Sequence, residues 1–501
     1  MDTRTKELFD GWLITVRQIR ALECTLELLE FDSVSAMPPA NADVRGFDCE
    51  AFATIRHELL TSRLFRDKTR ALMDSSDALD GKQMACVRDI SRQIHLATAV
   101  PMQITIALEG LKSPTHAAWE KAREGGDAHE FMRLLEQMVT LTRKKAKALA
   151  TGEHLYDSLL DLYDPGLTTT GIRSLLDEHA QFAEPLLRSG IVSDASCTQG
   201  VEVQCDEERA VKFAIAVAQQ IGLDLKRVVF TRTKHPQMVG LSVHDVRIAL
   251  RKDYPGFMDT LTSVMHETGH ALYELGFDPE WWRTPMAQAL SYGFHESQAI
   301  LYERMLGNSR AFWSWCFARL VDLLPGIGER YAADDFYRAV NRVEPGPIRV
   351  EADAVTYPIH IRLRTIMEIA LVDEGMEVRD IPKFWDDEME RSLGLRPKSA
   401  LKGWLQDPHW AGGAFGYFPS YAVGIIAAAQ FWQQAHKDIP ELDEQISEGS
   451  FLPLLQWVRE KIHRRGRLLT SEQLITEVTG RPLDTKAYEA VMLARIREAH
   501  C

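Results

Sequence analysis

Apolar residues recur at helical spacing through most of the chain. Near the start, Leu8, Trp12, Leu13, Val16, Ile19, Leu22 and Leu26 line one stripe of a 3.6-residue period. Similar stripes predict helices at about 47–62, 128–150, 171–188, 206–221, 257–275, 288–307, 310–323, 334–343, 359–373 and 420–436. Strand-like alternation is rare. It is confined to Arg227 to Thr231 and Val243 to Leu250, which a turn containing Pro and Gly separates just ahead of the helix predicted from Phe257. These two segments are expected to form a small sheet beside that helix, so the fold class reads as mainly α with a small β element. The least periodic passage, Ser189 to Asp206, is rich in Ser, Asp, Gly and Cys and reads as a linker or surface loop.

With 501 residues, 45% of them apolar, the chain can build a large helical core. It reads as one domain over residues 1–501, with about 1–195 and 196–501 as the subdomains if it divides. The excess of 72 acidic over 58 basic residues gives a net charge of -14, which disfavours nucleic acid and anionic membranes as partners. Seven cysteines, scattered and never in a Cys-x-x-Cys pair, fit a reducing compartment. The opening MDTRTKELFDGWL lacks the apolar core of a signal peptide, and no run reaches the ~18–20 residues that span a bilayer. A cytoplasmic location is expected.

The predicted helix from Phe257 contains His266-Glu-Thr-Gly-His270. Residues four apart share a helix face with side chains about 5–6 Å apart, so both imidazoles can reach one Zn²⁺ while Glu267 stands beside it as a base. Apolar neighbours Val264, Met265, Ala271 and Leu272 give these polar groups a setting that needs a reason such as a metal. Gly269 inside a helix costs about 1 kcal/mol against Ala and suggests that another element approaches closely there. A catalytic zinc site takes a third protein ligand and keeps one position open. The three-histidine pattern would put Gly at 273 and His at 276, where the chain has Tyr273 and Gly276, so that class is excluded. A glutamate from a following helix remains. Glu296 is the first choice; the rivals are Glu274, expected to be an exposed helix-end residue, and Glu303, expected to be a surface or supporting group. His295 is a candidate for orienting a ligand or substrate.

Four motifs carry a family resemblance along most of the chain: HETGH, the HESQ of His295 to Gln298, IRVEAD from Ile348 to Asp353, and GWLQDPHW from Gly403 to Trp410. With the Gly416-Tyr417-Phe418-Pro419 tail and weaker echoes at Phe31 to Pro39 and Tyr156 to Thr168, the chain resembles the Taq-type thermostable zinc carboxypeptidases. Two departures stand out. His235-Pro236-Gln237 replaces the family's His-Pro-Phe, and Asp245-Val-Arg247-Ile-Ala249 lacks the threonine of its DxRxT. The resemblance implies a helical homodimer with a deep, narrow groove over the zinc, removing single C-terminal residues with broad preference.

Such an exopeptidase must hold a carboxylate, which the planar fork of arginine does best. Arg349 and Arg247 are the candidates; ion pairs with Glu351 or Asp353 for the former, and with Asp245 for the latter, are the plainer alternatives. His409 and Tyr417 are candidate donors to the charge that develops on the carbonyl oxygen, with Tyr421 in reserve. Gln406 and Asp407 are expected to fix the loop. Cofactor and partners follow: Zn²⁺, with Co²⁺ or Mn²⁺ also fitting a His-His-Glu site, and peptides with a free C-terminus. The competing readings are a helical oligopeptidase or dipeptidyl carboxypeptidase and, in a different class, a non-catalytic scaffold with a structural metal.

Overall fold

The computed structural model describes residues 2–188 and 200–500, so residues 189–199 of the loop or linker expected near 189–206 lie outside the described residues. Helices start where a side chain can take up an orphan amide. Asp2 accepts from the Thr5 amide to open Thr3–Ser35, Ser291 accepts from Phe294 to open Tyr292–Ile300, and Asp80 with Gln83 forms a reciprocal box for Gly81–Ala99. Among the described residues there are twenty α-helices and a single three-stranded sheet.

The first helix buries Phe9, Trp12, Val16 and Ile19, so its inward stripe runs through Phe9 while Leu8 and Leu13 lie at its margins. Trp12 also donates to Thr69 Oγ1 at 2.9 Å, which ties it to the helix Arg63–Asp74. These residues belong to an apolar cluster drawn from residues 9–90 together with Met286, and a second, larger cluster spans Leu108 to Ile496. Ion pairs join the two regions: Lys82 to Asp278 at 2.7 Å, Arg92 to Asp161 at 2.9 Å and Arg467 to Asp89 at 3.1 Å. Among the described residues, no single helix is long and apolar enough to cross a membrane; the pair Gly81–Ala99 and Met102–Arg123 meets that test only jointly, bent by 83°. All five described cysteines are free thiols.

The sheet lies before the helix Phe257–Glu274, as expected, but has one strand more. β1 (Val228–Thr233) runs parallel to β3 (Asp245–Arg251), and β2 (Gln237–Ser242), which falls inside the stretch read as a turn, pairs antiparallel with β3 on its other side. Pro236 immediately before β2, and Gly240 within it, gave that stretch the look of a turn. Val246, Ile248 and Leu250 bury one face of β3, and the helix Phe257–Glu274 packs on β2 and β3.

That helix touches Tyr292–Ile300 at Gly269, where an added Cβ would lie 2.4 Å from the Gln298 carbonyl oxygen and 2.6 Å from Ala299 Cα. The close approach expected from a mid-helix glycine is therefore present. On its far side, Tyr292–Ile300 meets the helix Phe418–Asp438 at Gly424, where a Cβ would lie 2.6 Å from Glu296 Cγ. Two glycines thus clamp the short helix that carries Glu296. Its continuation, Leu301–Leu306, is π-helical. Arg495, from the helix Lys486–His500, donates to the carbonyls of Arg304 and Met305 at 2.8 and 2.6 Å, satisfying acceptors in this irregular turn.

Candidate metal centre

The clamped helices bring His266, His270 and Glu296 together, with one ligand atom from each within 4.8 Å of the others. His270 Nε2 lies 3.7 Å from Glu296 Oε2. Each imidazole is turned by a partner at its Nδ1. His266 Nδ1 meets Glu303 Oε2 at 2.7 Å, and His270 Nδ1 meets the His295 carbonyl at 3.1 Å, leaving Nε2 of both to face inward. The His295 ring stacks on that of His270 at 4.3 Å and reaches Glu274 at 3.2 Å. Glu274 is thus half-buried and engaged by a helix-neighbouring imidazole, which corrects the expectation that it is exposed; Glu303 proves to be a support for His266 and is no surface residue.

Glu267 is 5% exposed, and its Oε2 has no partner. Burial raises its pKa to about 7; His266 works against this, and the nearby Glu296 adds to it. For His266, burial opposes protonation, yet Glu296, Glu303 and Glu267 outweigh it and lift the pKa to about 10. Burial, reinforced by His295 and His266, pushes His270 well below the usual histidine range. Three carboxylates (Glu267, Glu296 and Glu303) stand here against one guanidinium, Arg304, which pairs with Glu303 at 3.3 Å. The donor set of two imidazoles and a carboxylate suits a divalent cation, which would also offset the crowding of these buried carboxylates.

The IRVEAD and GWLQDPHW motifs meet each other. Arg349 is 6% exposed and donates through Nε and Nη2 to Asp407 Oδ1 at 3.0 and 2.8 Å, and through Nη1 to the Tyr357 hydroxyl at 3.2 Å. Its partner is thus Asp407, and neither Glu351 nor Asp353. Asp353 instead braces the turn that leads into the next helix, Tyr357–Val372, accepting from the amides of Val355 and Thr356 and from the Thr356 hydroxyl. Gln406 accepts from the Arg349 amide at 2.8 Å and donates to the carbonyls of Pro347 and Gly403. Asp407 also accepts from Arg364 at 2.7 Å, so two buried guanidiniums share one carboxylate. Burial disfavours the charge on Asp407, but Arg364 and Arg349 outweigh it and hold its pKa well below the usual range.

Around this pair lie the other candidates. The His409 ring sits 4.3 Å from that of Phe418, and its Nε2 is 3.4 Å from the Tyr421 hydroxyl. Burial lowers the His409 pKa to about 4, so it is a neutral imidazole near neutrality. Tyr417 packs edge-on to Tyr163, Tyr292 and Tyr421. Arg247 makes a two-point ion pair with Asp245 at 2.7 and 2.9 Å, the plainer alternative for that residue. The two family departures, Gln237 and Ala249, face each other across β2 and β3.

Three supports escaped the sequence reading. Glu368, fully buried, accepts from the Tyr156 hydroxyl at 2.6 Å, Trp410 Nε1 at 2.7 Å and the Gly416 amide at 2.8 Å, fixing the loop that leads to Tyr417. Arg364 anchors Asp407. Tyr357 bridges to Arg349. Two of them carried a signal, because an arginine and a glutamate four residues apart inside the apolar run 359–373 are buried charges that require partners.

Two cavities adjoin near these helices. One of about 370 Å³ is lined by Tyr163, Gly240, Glu274, Tyr292 and His295 among others. A second of about 600 Å³ extends to Phe294 and Val423, and the two share Asp89, Arg92, Leu290 and Arg467 in their walls.

Comparison with known proteins gives a consistent result. The family model described as Carboxypeptidase Taq (M32) metallopeptidase matches residues 13–496. Thermostable carboxypeptidase 1 of Pyrococcus furiosus is 33% identical over 483 residues, 95% of this chain and 96% of that protein. Carboxypeptidase 1 of Bacillus subtilis is 31% identical over 485 residues, 97% of this chain and 96% of its own. Among solved structures, a Pyrococcus furiosus carboxypeptidase superposes with a TM-score of 0.94 at 31% identity, covering 99% of both chains. A carboxypeptidase from Deinococcus radiodurans gives 0.93 at 29% identity, covering 100% of both.

Proposed function

The chain belongs to the Taq carboxypeptidase family of metallopeptidases and is a metallocarboxypeptidase, and from that premise we propose that it uses zinc to release single amino acids, with broad preference, from peptides bearing a free C-terminus. The observation that carries this reading is the buried Arg349. Asp407 holds one side of its guanidinium and Tyr357 one end. A guanidinium has five N–H groups, so one on each terminal nitrogen is left to grip a carboxylate end-on. The partial neutralisation of two arginines by one aspartate favours an incoming anion.

In this reading His266, His270 and Glu296 hold the cation. When bound, the cation supplies a water acidic enough to be deprotonated near neutral pH and polarises the carbonyl to be attacked. Glu267, with its unpartnered oxygen, takes the proton of the attacking water and delivers it to the departing amine. Arg349 fixes the terminal carboxylate and so selects the last peptide bond. Tyr417 and the neutral His409 donate to the oxygen that gains charge, and Tyr421 holds His409 in place. Arg247, already paired with Asp245 at 2.7 Å, is the weaker carboxylate anchor.

Mass spectrometry of one peptide, offered with a free or an amidated C-terminus to the zinc-loaded protein, tests this. Stepwise losses of one residue from the free peptide and none from the amide are expected. Cleavage of both, or losses in steps of two, would refute single-residue release. The same reading makes the enzyme a cytoplasmic homodimer, and a monomer in sedimentation at micromolar concentration would remove the dimer from it.

A further inference from the structure

A continuous run of contacts connects the candidate metal ligand His266 to the candidate carboxylate anchor Arg349. His266 Nδ1 meets Glu303 at 2.7 Å; Glu303 meets Arg304 Nε at 3.3 Å; the Arg304 guanidinium lies 4.7 Å over the Tyr357 ring; and the Tyr357 hydroxyl accepts from Arg349 Nη1 at 3.2 Å. The joints are buried or part-buried, and three of the residues are held from outside the run. Arg495 grips the carbonyls of Arg304 and Met305, Asp353 braces the turn just ahead of Tyr357, and Asp407 locks the other edge of Arg349. The ring of Tyr357 is the rigid piece between two arginines, since a cation over its face and a hydroxyl bonded to a second cation leave it little freedom.

An exopeptidase needs one distance above all others, that between the bond being cut and the group that holds the chain end. We propose that Arg304 and Tyr357 are positioning residues, a strut that fixes the separation of the metal centre from Arg349 and so sets the one-residue register. The strut rests on the proposed roles of His266 and Arg349. Neither strut residue needs to touch substrate; each acts through a residue that does. The carboxylate supporting His266 is common practice at metal sites, whereas its extension through an arginine and a tyrosine to the anchor is particular to the register.

Two conservative variants test the strut. Tyr357→Phe keeps the ring beneath Arg304 and removes only the hydroxyl that holds Arg349. Arg304→Lys keeps a positive charge beside Glu303 and loses the flat group over the ring. For each, zinc content, thermal midpoint, and kcat and KM on a free-C-terminus peptide are measured, and products are separated into single residues and dipeptides. In Tyr357→Phe, KM is expected to rise about tenfold with kcat within about twofold and zinc content unchanged, in line with loss of a hydrogen bond to a charged group. Both variants are expected to release some dipeptide, and the double variant to raise KM no more than the worse single one, because either break frees the same anchor. An unchanged KM in Tyr357→Phe, a fall in kcat alone, or a product mixture of single residues only in both variants would overturn the strut. A parent protein that cuts the amidated peptide as well as the free one would instead overturn the proposed function itself, so the two failures are distinguishable.

Discussion

Gly269→Ala perturbs the contact on which the metal centre depends. The new Cβ would stand 2.4 Å from the Gln298 oxygen, 2.6 Å from Ala299 Cα and 2.9 Å from the Gln298 carbon, all of them backbone atoms of the helix that carries Glu296. Backbone cannot rotate away as a side-chain tip can, so restoring ordinary contact requires the two helices to part by about 1 Å. Stability falls by up to about 2 kcal/mol, because overpacking of about 1–3 kcal/mol is only partly offset by about 1 kcal/mol of helix propensity gained from replacing Gly. The metal site changes a great deal. Ligand distances are held to about 0.2 Å, and a misplacement of about 1 Å at a reacting centre costs on the order of 10²-fold in rate. Gly110→Ala is the control, since it lies inside the helix Met102–Arg123 with nothing within 4 Å of the added carbon. The expected outcome is a fall in kcat/KM of roughly 10²-fold and weaker zinc retention on dialysis for Gly269→Ala, against unchanged activity and a small gain in stability for Gly110→Ala. Wild-type kcat/KM and zinc content in Gly269→Ala would refute the claim that this contact sets the site.

Other outcomes follow from the same geometry. Glu267→Gln should retain zinc while losing about 10²–10⁴-fold in kcat, and activity near the parent level would remove Glu267 from its role as base. Burial lowers the pKa of His179 to about 4 and those of His360 and His463 to about 3, so all three fold as neutral imidazoles. Between pH 6.5 and about 4 the unfolded chain binds protons that the folded one does not, so stability falls with falling pH, by about 1.4 kcal/mol per pH unit per histidine. Glu267 and Glu368, both raised to about 7 by burial, titrate the opposite way over part of this range, so the check is the slope of denaturant midpoints in His463→Gln against the parent; a shallower fall is expected, and equal slopes would contradict it. The double-mutant cycle of Gln237→Phe and Ala249→Thr should be non-additive by more than about 0.5 kcal/mol in stability, as the residues face each other across two strands; additive values would make them independent changes.

What could be read from the sequence was mostly what repeats locally. A helical stripe and an i, i+4 pair of histidines depend on residues a turn apart, so the helix at Phe257–Glu274 and the placing of His266 and His270 on one face were legible. The approach of Glu296 to that pair was legible as well, because it opens the next apolar run at a distance that lets the chain fold back. The partner of Arg349 was not. Asp407 is 58 positions away, and no periodicity distinguishes it from Glu351 or Asp353 nearby. β2 was hidden by a proline ahead of it and a glycine within it. The π-helical turn at Leu301–Leu306 depends on one extra residue per turn and on Arg495, some 190 positions later, so nothing local announces it.

The grip of Arg495 on that turn joins the order of synthesis to the completion of the support under Glu303. His266, His270, Glu296 and Glu303 leave the ribosome well before residues 486–500, which follow every other element of the fold. During that interval the growing chain already holds His266, His270 and Glu296 but lacks the helix that steadies the turn beneath Glu303. The support of that turn is therefore completed late, by a contact made across some 190 positions once residues 486–500 have been made and packed.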